Sequence, residues 1–73
     1  MNNDIRLGLA LAELKGKYFF YDLAAFVSGE STSGGMYFEY LKPLFDKYGY
    51  ITVINLIKQL YKEEKKEREA NNE

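Results

Sequence analysis

Eleven of the twelve aromatic residues in this 73-residue chain fall between Tyr18 and Tyr50, and the chain has neither cysteine nor histidine. A domain this short buries a small share of its surface, and its usual aids are disulfides or a structural metal. Both are closed here, because zinc and most transition metals need the thiolates and imidazoles that are missing. The rings must therefore supply much of the cohesion, since each can bury roughly 150–250 Å². The expected result is one small domain whose core is built largely of rings.

The aromatic region is organised around Ser28 to Gly49. A polar break, Ser28-Gly29-Glu30-Ser31-Thr32-Ser33-Gly34-Gly35, opens into the run Met36 to Tyr48. In that run Tyr37, Leu41, Leu44, Phe45 and Tyr48 fall at i, i+4, i+7, i+8 and i+11, an α-helical stripe that predicts a core face. Tyr40 falls outside the stripe. The phase persists through Pro43, which lacks an amide and presses on the carbonyl of Glu39, so the third helix is expected to kink there or to restart with Pro43 in a first turn. Gly49 reads as its stop.

The other segments show the same period. Leu7, Leu11 and Leu14, with Ala10 beside them, share one face of a helix expected at 5–15, capped by Asn2, Asn3 or Asp4 and stopped by Gly16 in a left-handed conformation. Ile5, Leu7, Leu9 and Leu11 also alternate with period two, the mark of a strand, but Ala10, Ala12, Glu13 and Leu14 favour helix. A second helix is expected at 18–28. It carries the stripes Phe19, Leu23, Phe26 and Phe20, Ala24, Val27, with Asp22 its one charge between Tyr18 and Val27. So apolar a segment is a central helix or keeps a face for a partner. A short strand at Tyr18 to Tyr21 is the local alternative.

The third helix is expected at 36–48 and the fourth at 52–68, with Thr52 as N-cap, Ile51 and Leu56 as a hydrophobic staple, and Val53, Ile54, Ile57, Leu60 and Tyr61 as the core stripe. The fold class is thus all-α, a bundle of about four helices. Residues 1–62 form the helical domain. Residues 63–73 form a charged helical extension, prolonged by pairs such as Glu64 with Arg68 and ending in disorder at Asn71, Asn72 and Glu73.

Chemistry is constrained by what is missing. Without histidine or cysteine the ordinary general bases and nucleophiles are lost, and Asp22, Glu39 and Asp46 show no pairing that would make a carboxylate dyad. No enzyme, cofactor or metal is expected. The polar loop could offer amides to an anion, but its glycines lack the spacing of a phosphate-binding loop, so a connector whose serines cap the next helix is the plainer reading. The start of the chain lacks the basic, apolar pattern of a secretory signal, and no window reaches a membrane span, so a cytoplasmic protein is expected.

The leading expectation for function is protein–protein binding, to another protein or as a homodimer. So many rings are difficult to bury in so short a chain, and tyrosine is the ring favoured at interfaces. Met36, Tyr37, Tyr40, Tyr48 and Tyr50 are the candidate contacts. In size and composition the chain is similar to small regulators and inhibitors of phage and mobile elements, although it carries none of their motifs. The alternative is a small DNA-binding domain of helix-turn-helix type, with Lys15, Lys17, Lys42 and Lys47 on phosphates. A net charge of −1 and the acidic Glu39 and Asp46 among those lysines argue against it.

Overall fold

The computed structural model describes residues 2–71. The fold is all-α: α1 spans Asn2–Lys15, α2 Phe20–Val27, a 3₁₀ helix Ser33–Leu41, α3 Lys42–Tyr48 and α4 Tyr50–Asn71. Among the described residues there is no strand, so the period-two pattern in α1 and the β-favouring rings at Tyr18 to Tyr21 both yield to helix and turn. The capping expected of the Asn2, Asn3 and Asp4 side chains, and the disorder expected of Asn72 and Glu73, lie outside the described residues. Asn71, also expected to be disordered, is the last residue of α4.

Two of the stops are glycines in the left-handed region, at φ +80° for Gly29 and +94° for Gly49. Gly29 closes α2 in a Schellman arrangement: its N–H donates to Phe26 O at 3.0 Å and that of Glu30 donates to Ala25 O at 2.9 Å. Gly49 ends α3 by donating to Phe45 O, and its own carbonyl accepts from Val53 N–H at 3.1 Å, so one residue joins α3 to α4. Thr52 therefore lies inside α4 rather than capping it. Ile51 is exposed and forms no staple. Gly16 does not take the left-handed conformation expected of it, because α1 runs into consecutive turns, with Lys17 N–H donating to Leu14 O and Phe20 N–H to Lys17 O.

The third helix departs furthest from expectation. Its α-helical part begins at Lys42 with Pro43 in the first turn, which is the restart rather than the kink. The residues before it form a nine-residue 3₁₀ helix. Pro43 cannot donate to the carbonyl of Glu39, and the Lys42 N–H takes that carbonyl instead through a 3₁₀-type bond.

A 3₁₀ helix has three residues per turn, so side chains at i and i+3 eclipse and form three rows. Gly34, Tyr37 and Tyr40 make one row, Gly35, Phe38 and Leu41 the second, and Ser33, Met36 and Glu39 the third. The third row is exposed throughout. The first two lie on α2: a Cβ at Gly34 would meet the backbone of Asp22 and Leu23, and one at Gly35 would lie 3.1 Å from the Phe26 ring. The polar break is thus no loose connector, since its two final glycines are what let the 3₁₀ helix sit against α2.

The core consists of Leu7, Leu11 and Leu14 from α1, Phe19, Phe20, Leu23, Ala24 and Ala25 in and before α2, Leu41, and Val53, Ile57 and Tyr61 from α4. The apolar α2 is central, in contact with the 3₁₀ helix, α4 and α1. The stripe expected of the third helix is only partly realised. Leu41 is fully buried, whereas Tyr37, Leu44, Phe45 and Tyr48 are half-buried around the core. The stripe was laid out at 100° per residue, and the change to 120° within the 3₁₀ segment rotates its members off one face.

Candidate functional site

The aromatic side chains form three groups; of the candidate contacts, Tyr37 and Tyr40 belong to the first and Tyr50 to the second, while Met36 and Tyr48 belong to none. The first group is centred on Phe19, which is buried at the entry to α2. Tyr37 stacks on it with centroids 4.4 Å apart and ring planes 7° from parallel, Tyr40 lies at 4.9 Å, and Tyr18 meets it edge-on at 5.4 Å. Offset and edge-on pairs of this kind are the favoured arrangements of aromatic rings and contribute about 0.5–1.5 kcal/mol each beyond their buried area. Tyr37 and Tyr40 share a row, so the expectation that Tyr40 would stand apart from Tyr37 is corrected by the 3₁₀ geometry. Tyr18 is 88% exposed, Met36 74% and Tyr40 59%. The Tyr18 hydroxyl, as a hydrogen-bonding neighbour, raises the Tyr37 phenol above its ordinary value.

Tyr18 is missing from the sequence-based candidates. Its signal, a ring beside Lys17 and two residues after Gly16, does not separate it from the three rings that follow. Only the turn before α2 turns it outward while Phe19 and Phe20 go in.

The second group is a chain of rings, Phe26 to Phe38 at 5.8 Å, Phe38 to Phe45 at 5.4 Å and Phe45 to Tyr50 at 4.8 Å. Tyr50 belongs here, with Phe45, and not with Tyr37 and Tyr40 on Phe19. Tyr48 joins neither group. It is half-buried at the end of α3, with Lys47 Nζ 5.9 Å from its ring centre.

The third group ties the charged end of α4 to the loop after α2. The Tyr61 hydroxyl donates to Glu30 Oε1 at 2.8 Å and Lys65 Nζ donates to the same oxygen at 3.1 Å. Tyr21 lies 5.2 Å from Tyr61, and the Arg68 guanidinium sits 3.9 Å above the Tyr21 ring while Arg68 Nε faces Glu64 at 3.6 Å. The Glu30 carboxyl is held below its usual range by the Tyr61 hydroxyl and then by Lys65, and the same carboxylate pushes the Tyr61 phenol well above its own. Glu30 gave no sign of this in the sequence, since its partners are more than thirty residues away.

The four lysines expected on phosphates are exposed, Lys15 and Lys17 at the end of α1 and after it, Lys42 and Lys47 on α3. Asp22, Glu39 and Asp46 are exposed as well. In the polar loop the Ser31 hydroxyl accepts from Ser33 N–H at 3.2 Å, and Gly35 N–H donates to Thr32 O at 3.3 Å. Thr32, at the N-cap position, makes no side-chain bond, and the serine contact expected at the start of the third helix is the one from Ser33 N–H to the Ser31 hydroxyl. Among the described residues no group of three His, Cys, Asp or Glu is placed to hold a metal, and no helix is long and apolar enough to cross a membrane. No family model, curated protein or solved structure matches the chain.

Proposed function

We propose that this chain is a non-enzymatic protein-binding domain of the small regulator or inhibitor type, and that Tyr18, Met36 and Tyr40, backed by Tyr37, form its contact surface. The observation that carries the reading is a set of rings packed on a buried Phe19 and yet largely open to water, Tyr18 at 88% and Tyr40 at 59% exposed. A pre-set ring loses little entropy on docking, and tyrosine and methionine are enriched at interfaces. The absence of histidine and cysteine supports a binding role over catalysis.

The test is the triple change Tyr18→Ala, Met36→Ala, Tyr40→Ala. It should keep the helical circular dichroism spectrum and most of the melting temperature while abolishing captured partners or lowering the light-scattering mass. A variant with the same mass and the same partners refutes the surface.

A further inference from the structure

A second surface is built on the row of the 3₁₀ helix that carries Gly35 and Phe38. Phe26 and Val27 at the end of α2, Phe38, and Tyr50 and Ile54 on α4 line an open groove of about 600 Å³, which takes in three of the four rings of the second chain. Every one of these side chains is half-buried except Tyr50, which is 56% exposed. The groove is therefore apolar and only partly covered by the protein itself.

Its charge is one-sided. Lys58 is the single charged side chain lining it, and among the described residues Lys58 enters no ion pair, the salt bridges being those of Lys65 with Glu30 and Arg68 with Glu64. Glu30, the acidic residue that follows α2, is already held by Tyr61 and Lys65. Tyr50, Ile54 and Lys58 follow one another at four-residue steps on α4. At 1.5 Å per residue they mark a length of about 12 Å, a little over two helical turns.

We infer that this groove seats an amphipathic helical segment of a partner protein, about two turns long, with apolar side chains between Phe38, Tyr50 and Ile54 and an acidic side chain on Lys58. The walls are helices with no free strand edge, so a segment adding as a strand finds no backbone to pair with, whereas a helix lays its apolar stripe into such a groove. An open cleft also suits a segment better than a small molecule, which needs most of its surface enclosed. The inference rests on the protein-binding reading but uses residues distinct from the Tyr18 surface.

The probe is a phage-displayed library of random peptides selected on the intact protein, with the enriched peptides synthesised and titrated by fluorescence anisotropy. Enriched sequences should share two large apolar residues three or four apart with an Asp or Glu one turn on, and raised salt should weaken them. Lys58→Glu, an exposed change that leaves the fold intact, should weaken binding roughly tenfold, and Tyr50→Ala should weaken it as well. Tyr18→Ala should leave it unchanged.

Absence of enrichment, peptides without an acidic residue, or indifference to Lys58→Glu would each overturn the groove and leave the Tyr18 surface to its own test. A change in the protein's own sedimentation mass on Lys58→Glu would also overturn it, by placing a second copy there.

Discussion

Gly34→Ala tests the contact on which the arrangement of the third helix depends. A Cβ at this position would lie 2.8 Å from Leu23 Cα and closer still to the carbonyl of Asp22, all of them backbone atoms of α2 that no rotamer change can move aside. Ordinary carbon contacts are about 3.5–4 Å, so the 3₁₀ helix would have to withdraw by roughly 1 Å. That withdrawal would lift Tyr37 and Tyr40 from Phe19, where they now stack at 4.4 and 4.9 Å, and loosen the fully buried Leu41. Overpacking costs about 1–3 kcal/mol and can exceed that, and a hit on backbone belongs at the upper end. Stiffening of the unfolded chain returns only about 0.4–1 kcal/mol.

A net loss of about 2–3 kcal/mol is a large part of the ~4–11 kcal/mol that a chain of this length holds at 0.05–0.15 kcal/mol per residue. It should lower the melting temperature by roughly 10–20 °C. Gly8→Ala is the control: it lies in α1 with no neighbouring atom within 4 Å of an added Cβ. It should stabilise the protein by about 0.5–1 kcal/mol, the helix-propensity difference. Thermal melts followed by far-ultraviolet circular dichroism measure both. A Gly34→Ala protein that melts with the parent would mean that the 3₁₀ helix does not lie on the α2 backbone.

Other expectations follow from burial and from the Glu30 cluster. Ile57→Ala, at a fully buried site, should cost about 2–5 kcal/mol in urea unfolding, whereas Phe45→Ala should fall below the ~3–5 kcal/mol of a fully buried ring because Phe45 is only half-buried. The Ser28 hydroxyl is buried without a partner, so Ser28→Ala should leave the midpoint unchanged or raise it, and a clear drop would reveal a bond to that oxygen. Tyr61→Phe should cost about 1 kcal/mol at neutral pH through loss of its bond to Glu30. Since the Glu30 carboxyl is held below its ordinary 4.5, its contribution is present above that value and lost as pH falls through the lowered one. Parent and Glu30→Gln should therefore differ at pH ~7 and converge on acidification, and a gap that persists in acid would remove the carboxylate as the cause.

What the sequence by itself determined is local. The recurrence of Leu7, Leu11 and Leu14 placed their faces in the core, as did that of Val53, Ile57 and Tyr61, because helical period and burial are properties of a short window. Gly49 marked the stop of α3 because only glycine takes positive φ without strain, whereas Gly16, read by the same rule, does not take it. Pro43 announced a break by lacking an amide. The tertiary structure decided whatever depends on a neighbour distant in the chain. The approach of Gly34 to the α2 backbone, with the amide missing at Pro43, accompanies 3₁₀ winding, and that winding put Tyr37 and Tyr40 in one row and drew Phe45 and Tyr48 to the rim. The pairing of Tyr18 with Tyr37, the groove beside Ile54 and the grip of Tyr61 and Lys65 on Glu30 join residues whose separation in sequence carries no periodic signal. Twelve rings in so short a chain made an uncovered aromatic surface expected, and only the packing of the helices chose which rings form it.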